Sequence, residues 1–388
     1  MAEIRPARII FQIIFGFFIS FLILEVLFRL YYLVTNERFF GLSPKRTTLE
    51  WIDDEKVGRK LAPNQRGWFV SPQKEYFTWI ETNKEGFRDV NHELEKPEGK
   101  KRLLILGDSF VENFQVPFEK TFFRQLEENF NQESVEILAM GLGDTGSAQQ
   151  YFLLKEFGLK YKPNVVVQLF LTANDIRNNS KELNNNPDVP YLELDSSGNL
   201  KEVRPERNLQ GFSAEIKETL KKSRLVEFVL WSRQLFLERA TARDLGYPPD
   251  YHVYNQKYSP SYQSAWELTQ KIILETKNMV EEAGGTYVLV VLANNEQVNK
   301  KAWEEILSVY PKITSADIDL EKPDKLLNEF CEQEKLECYF MLPYFREYLT
   351  QNPGSTTHFH YDGHLNETGT DLATKFLTEK LKDYFSTK

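Results

Sequence analysis

Cysteine is nearly absent: Cys331 and Cys338 are the only two in 388 residues. A disulfide-built scaffold and a cysteine-built zinc site are therefore excluded. The sequence leaves both a single Cys331–Cys338 bridge and two buried thiols open. Positive charge is also short, with 48 Lys and Arg against 57 Asp and Glu and a net charge of -9. A nucleic-acid surface needs the opposite balance, so no nucleic-acid partner is expected. No internal repeat is seen in the chain. What remains is 41% hydrophobic and 27% charged, the composition of a folded globular chain.

Residues 9–34 read IIFQIIFGFFISFLILEVLFRLYYLV, and nothing between Ile13 and Leu24 is charged. This run is long enough to cross a hydrocarbon core of roughly 30 Å. A secretory signal is the rival reading, and Arg5 and Arg8 suit its basic start. The apolar part is longer than such signals need, and no small-x-small cleavage site follows. The expectation is an uncleaved single-pass anchor that makes the bilayer a partner. The large domain that follows would lie on the periplasmic or extracellular side, since long domains cross largely regardless of charge. Glu25 and Arg29 are four apart, which puts them on one helix face within pairing reach. Arg29 also has the alternative of snorkelling to the interface beside Tyr31 and Tyr32.

The expected organisation is a tail over 1–8, an anchor over 9–34, a membrane-proximal β-rich extension and linker over 35–100, and a main domain over 101–388. Turn signals at "APNQ" (62–65) and "NKEG" (83–86) divide the extension into short strands and hairpins. "HELEKPEGKK" (92–101) reads as a linker. Then strands and helices alternate. "RLLILG" (102–107), "VEILAMG" (135–141), "NVVVQLFLT" (164–172), "YVLVVLA" (287–293) and "LECYFML" (336–342) are near-continuous apolar strands. "EKTFFRQLEENF" (119–130), "SAQQYFLLKEFGLK" (147–160) and "ETGTDLATKFLTEKLKDYF" (367–385) carry helical spacing. This predicts an α/β fold: a mostly parallel five-stranded sheet covered on both faces, in three α/β/α layers. An insertion over 176–262 includes a hairpin at 190–203 and a helix at 223–239. That helix has a wide apolar face, suited either to the core or to a lid or membrane-facing surface.

Open α/β sheets place their sites at the carboxyl ends of strands. Ser109 stands just past the first strand, in "LLILGDSFVE". A helix cap, a phosphate ligand or a nucleophile are the jobs open to it. Taken alone, the serine fits a cap best, and the phosphate role fits poorly, because no Gly-rich loop and no Lys follow. Other strands supply companions. "MGLGDTGS" (140–147) brings three glycines, "LTANDIRNN" (171–179) brings Asn174, and "HFHYDGHLNETG" (358–369) brings Asp362 and His364. Each has a bland reading as a turn, a cap or a solvated loop. Four polar groups at four site positions are harder to dismiss.

These blocks resemble, in order, those of the GDSL or SGNH hydrolases, over about residues 80–388. "GDSF" matches the first block, with Ser109 as nucleophile. Gly143 fits the Gly block, with Gly141 as runner-up. Ala173-Asn174-Asp175 keeps the Asn of the third block and loses its glycine. Asp362-Gly363-His364 is one residue shorter than the usual Asp-x-x-His. That shorter form, with "TNKEGFRD" (82–89) upstream, is similar to membrane-linked and polysaccharide O-acetyl-modifying members. The resemblance implies a flavodoxin-like α/β/α fold and a Ser-His-Asp triad of Ser109, His364 and Asp362. It also implies an oxyanion hole of the Ser109 N–H, the Gly143 N–H and the Asn174 amide.

The chemistry agrees with the residue types. A serine hydroxyl becomes a nucleophile when a neighbouring base takes its proton, and a neutral imidazole suits that task. An aspartate fixes the tautomer, and N–H donors meet the oxyanion. Such a mechanism needs no cofactor. His358 and His360 invite a metal reading, but a zinc site needs a third ligand, and none is expected. Asp108 and Asp175 read as loop-shaping acceptors. The expected function is a membrane-anchored esterase that cleaves or transfers an acyl group, acetyl foremost, on a carbohydrate or similar ester. The alternative is a catalytically weak or inactive protein of the same fold, serving as a glycan-binding or assembly partner.

Overall fold

A computed structural model of the chain describes residues 6–34, 47–71, 73–130, 134–205, 223–226, 228–230, 232–233, 247–313 and 317–385. The chain divides into two compact units, one of residues 1–46 and 207–244, the other of 47–206 and 245–388.

In the first unit, Pro6–Val34 form one helix, of which Ile10–Tyr31 is long and apolar enough to cross a membrane. Most of its described side chains are exposed, Phe11, Ile14 and Phe17 among them. Glu25 accepts from the Arg29 guanidinium at 2.7 Å, the pairing that their spacing implies. It also accepts from the Ser223 hydroxyl at 2.7 Å and from the N–H groups of Arg224 and Leu225 at 3.1 and 3.0 Å. Those two residues open a helical stretch, so Glu25 satisfies donors that a helix start leaves unpaired. The expected helix at 223–239 therefore begins against the apolar helix of its own unit. Much of that stretch lies outside the described residues.

The second unit is built on five parallel strands: β5 (Lys101–Gly107), β6 (Val135–Gly141), β7 (Val165–Phe170), β10 (Thr286–Val291) and β11 (Cys338–Phe340). Their spatial order is β6-β5-β7-β10-β11. Renumbered by appearance this is 2-1-3-4-5, the flavodoxin-like order. The expected α/β/α fold is what forms.

Alternation along the strands feeds two apolar layers. Leu104, Leu106, Val166, Leu289 and Val291 face the helices Ser147–Glu156, Pro260–Glu282 and Lys322–Glu334. Leu103, Ile105, Val167, Val288 and Val290 face the helices Phe122–Asn129, Met341–Gln351 and Glu367–Phe385. β5, β6, β7 and β10 are buried on both sides over nearly their whole length, which is why their sequences are almost entirely apolar.

Boundaries differ from the sequence reading in two places. The last strand spans only three residues, because Met341, Leu342 and Phe345 share a buried helical face and pull the chain into a helix. The helix expected over 147–160 ends at Glu156 and continues as a 3₁₀ turn at Gly158–Tyr161. Cys331 and Cys338 form a disulfide that ties the edge strand to the preceding helix.

Ahead of the sheet lie two hairpins, β1 (Trp51–Asp54) with β2 (Gly58–Leu61) and β3 (Arg66–Val70) with β4 (Phe77–Glu81). In the insertion, β8 (Tyr191–Leu194) pairs with β9 (Leu200–Val203). The stretch after β4 is bound to the sheet by a buried ionic network. Arg102, fully buried, donates to Glu136 at 2.6 Å and to the carbonyls of Glu93, Leu94 and Tyr161. His92 donates to Glu136 at 2.8 Å and to Asp89 at 2.9 Å, and Asp89 also accepts the Ala139 N–H. Burial opposes charge on His92, but the two carboxylates outweigh it and push its pKa up to about 9.

This network sets a pH dependence. The folded value lies above the ordinary 6.5. The network's contribution is therefore complete below that pH and is lost as pH rises through about 9. Urea unfolding of the full chain in detergent should show a loss of about 1–3 kcal/mol across this window. His92→Gln should flatten that slope and lower stability at neutral pH. An unchanged slope in the variant would assign the pH dependence to other groups.

Candidate active site

The order β6-β5-β7 reverses direction at β5, and open α/β sheets place their sites at the carboxyl ends of the strands at such a switch point. Ser109 stands at the end of β5, first residue of the short helix Ser109–Glu112. Asp108 caps that helix by accepting the Phe110 N–H at 2.9 Å. Asn113 closes it in the left-handed region, at φ 50°.

His364 comes back from the loop before the last helix. Its Nε2 lies 2.7 Å from Ser109 Oγ, and its Nδ1 lies 2.6 Å from Asp362 Oδ1. The Phe110 ring packs against the imidazole, with centroids 4.7 Å apart. Sequence reasoning found these three residues. It missed the two that hold the loop. Tyr76 donates its hydroxyl to Asp362 Oδ2 at 2.7 Å. Glu75 accepts the N–H groups of Tyr361 and Asp362, each at 3.0 Å. Both stand in the β3–β4 turn, and nothing in the local sequence points to a partner 286 residues away.

The other expected donors gather on the opposite flank. The Asn174 side chain donates to Asp108 Oδ2 at 2.9 Å. An amide carries two hydrogens, so this bond orients the group and leaves a second donor. Ala173, which stands where the resemblance expects a glycine, does not sit at positive φ, so its backbone conformation does not call for one. Gly141 and Gly143 differ in what crowds them. A Cβ on Gly141 would run into the backbone of Val111 and Glu112, so this glycine lets β6 approach the serine helix. A Cβ on Gly143 would stand 2.7 Å from Glu112 Oε2, and the Gly143 N–H itself bonds to the Glu112 carboxyl.

Three carboxyls are buried around this flank. Burial raises Glu112 to about 7, against the Gly143 N–H, which lowers it. Burial raises Asp108 as well, against the Phe110 N–H and the Asn174 amide. Asp175 is pushed well above the carboxylate range by burial and by neighbouring Asp108, while it accepts the Leu171 N–H at 3.1 Å. Asp108 and Asp175 thus act as acceptors that shape their loops.

The two further histidines part company. His358 is buried, with one ring nitrogen on Thr357 Oγ1 at 2.9 Å and the other on the Ala293 carbonyl at 3.0 Å. Burial lowers it to about 4. His360 lies 3.5 Å from Glu305 on the surface. Among the described residues, no three His, Cys, Asp or Glu converge to hold a metal ion.

No protein-family model matches the chain, and no curated protein matches it. Solved structures of similar shape include the acetyl xylan esterase AlAXEase, at 11% identity and TM-score 0.39, covering 72% of this chain and 98% of that one. A lipase/acylhydrolase from Enterococcus faecalis gives 12% identity and TM-score 0.37, with 74% and 98% covered. A GDSL-like lipase from Bacteroides thetaiotaomicron gives 10% and 0.34, with 74% and 91% covered. At such scores these likenesses carry neither activity nor substrate over to this chain.

The geometry makes a chemical prediction of its own. A fluorophosphonate probe should label Ser109, and His364→Ala should abolish labelling. Tyr76→Phe removes one hydrogen bond on Asp362 and should slow labelling roughly fivefold, the equivalent of about 1 kcal/mol. Equal labelling rates in the Tyr76 variant and the parent would show that Asp362 needs no such support.

Proposed function

We propose that the chain is a membrane-anchored serine esterase of the SGNH type, which cleaves or transfers an acyl group, acetyl foremost, on a carbohydrate or similar ester. One observation carries the reading: Ser109, His364 and Asp362 form a continuous relay at 2.7 and 2.6 Å at the sheet's switch point. Isolated caps or solvated loop residues have no reason to line up in this way.

Ser109 attacks the acyl carbon while its proton passes to His364 Nε2. Asp362 accepts from Nδ1, which fixes the tautomer and stabilises the imidazolium. The oxyanion is met by the Ser109 N–H, the Gly143 N–H and the free hydrogen of the Asn174 amide. His364 then returns the proton to the departing alcohol oxygen, leaving an acyl group on Ser109. Water completes hydrolysis, and a sugar hydroxyl would complete transfer, each giving its proton to His364, which passes it to Ser109 Oγ as the acyl–serine bond breaks.

A second reading keeps a specific observation in its favour. The Asn174 amide and the Gly143 N–H already have carboxyl partners, Asp108 and Glu112. A site whose donors are occupied suits a catalytically weak protein that binds glycan or assembles with partners. Kinetics on an activated acetyl ester decide between the two. Ser109→Ala should lose turnover with an unchanged circular dichroism spectrum. Asn174→Ala should lower kcat by roughly 10²–10³ with KM little changed, because the amide acts only once charge develops. Turnover unaffected in both folded variants would favour the non-catalytic reading.

The anchor and topology belong to the same proposal. The helix over Ile10–Tyr31 is long and apolar enough to span a bilayer, and the Cys331–Cys338 disulfide suits an oxidising, non-cytoplasmic compartment. Protease added outside sealed, right-side-out vesicles should digest the catalytic unit. Full protection until lysis would reverse the topology.

A further inference from the structure

The β3–β4 hairpin has two faces. Its inner residues Gly67, Phe69, Thr78 and Ile80 turn toward the unit, where Ile80 packs with Leu49, Leu61 and Phe114. Its outer face carries the cross-strand pairs Trp68–Trp79 and Val70–Phe77, and ends in Arg66 opposite Glu81. Trp68, Phe77 and Trp79 are 40%, 61% and 41% exposed. Trp68 stacks on Phe77 at 4.2 Å and meets Trp79 edge-on at 4.8 Å. Trp79 is further held by its N–H bond to Glu81 at 2.8 Å. Three large rings fixed against one another in solvent form a preformed surface, and an exposed patch of this kind marks a binding site.

Its surroundings choose the occupant. Phe77 and Trp79 line a groove of about 680 Å³ together with Glu81, Glu119, Asn83 and Asn91. No Lys or Arg is found among the described residues that line it. Phe77 also borders a depression of about 440 Å³ that it shares with Glu75, Tyr76 and Phe359. The platform therefore runs into the residues that hold Asp362. Ring faces stack on the C–H faces of sugars, while carboxylates and amides take their hydroxyl protons. A bilayer surface carries anionic head groups and draws Lys and Arg, which this groove lacks.

We propose that Trp68, Phe77 and Trp79 form a subsite for an uncharged, hydroxyl-rich polysaccharide chain, leading it toward Ser109. The proposal rests on the esterase reading for the direction of travel but not for the binding itself.

The test uses the full chain in nanodiscs, with Ser109→Ala to prevent turnover. Affinity electrophoresis through O-acetylated xylan, O-acetylated glucomannan and hydroxyethyl cellulose should retard the parent. Trp68→Ala/Trp79→Ala should remove the retardation, and Trp68→Tyr/Trp79→Tyr, which keeps the rings, should restore it. With Ser109 intact, the alanine pair should lower kcat/KM for an O-acetylated polymer, relative to that for 4-nitrophenyl acetate, about tenfold or more, a loss of about 1.4 kcal/mol. No tryptophan-dependent retardation by any of the three polymers overturns the proposal. So does equal retardation by alginate, a polyanion. Quenching of the Trp68/Trp79 fluorescence by brominated lipid would name the bilayer as occupant and overturn it as well. Absent turnover of 4-nitrophenyl acetate with retardation intact would defeat the esterase reading alone.

Discussion

The bond between Ser109 and His364 joins residues 255 apart in sequence across 2.7 Å, and the rest of the site is arranged to keep it. A loop that brings a histidine to a serine so distant in sequence has no intrinsic reason to hold one position. Here it is held from both ends. The last helix packs its apolar face on the sheet through Leu372, Phe376 and Leu377. The β3–β4 turn grips the loop through Glu75 and Tyr76, which reach two backbone N–H groups and the outer oxygen of Asp362. The stretch that follows this hairpin is in turn secured to the sheet by the buried Arg102–Glu136–His92–Asp89 network. Residues ahead of the main sheet thus belong to the site as much as the sheet itself.

The opposite flank rests on a different constraint. Asp108, Glu112 and Asp175 are carboxyls withdrawn from water, and each is raised by that burial. Withdrawing a carboxyl from water is expensive unless donors meet it. The donors that meet two of them are the groups a developing oxyanion would need, the Asn174 amide and the Gly143 N–H. The arrangement orients those donors before any substrate arrives. It also makes them shared, so their strength toward an oxyanion would depend on how tightly the carboxyls compete.

Much of this was legible in the sequence because it follows from period and chemistry. Apolar strands buried on both faces read as unbroken runs, and "GDSF", Asn174 and Asp362-Gly363-His364 follow strands or precede a helix where a sheet presents its site. Other parts were legible only in retrospect. The helix Pro260–Glu282 carries a Ser259 cap, a proline in its first turn and Gly284 just after it, signals that mark a helix starting where the expected insertion ends. The roles of Glu75, Tyr76 and Glu112 were not legible, since each is defined by a partner distant in sequence or by burial. The same holds for Glu25. Its charge looks like a break in an apolar run until Ser223, Arg224 and Leu225 are found donating to it.

The central claim is that an acyl group passes through Ser109. It is tested most directly by mixing the protein with an activated acetyl ester, quenching in acid within the first turnover and mapping acetylation by peptide mass spectrometry. The account predicts one acetyl group, on Ser109, that appears before the steady state and disappears as substrate is exhausted. Steady ester turnover with Ser109 unmodified throughout, or acetyl carried by another residue at a competent rate, would contradict it.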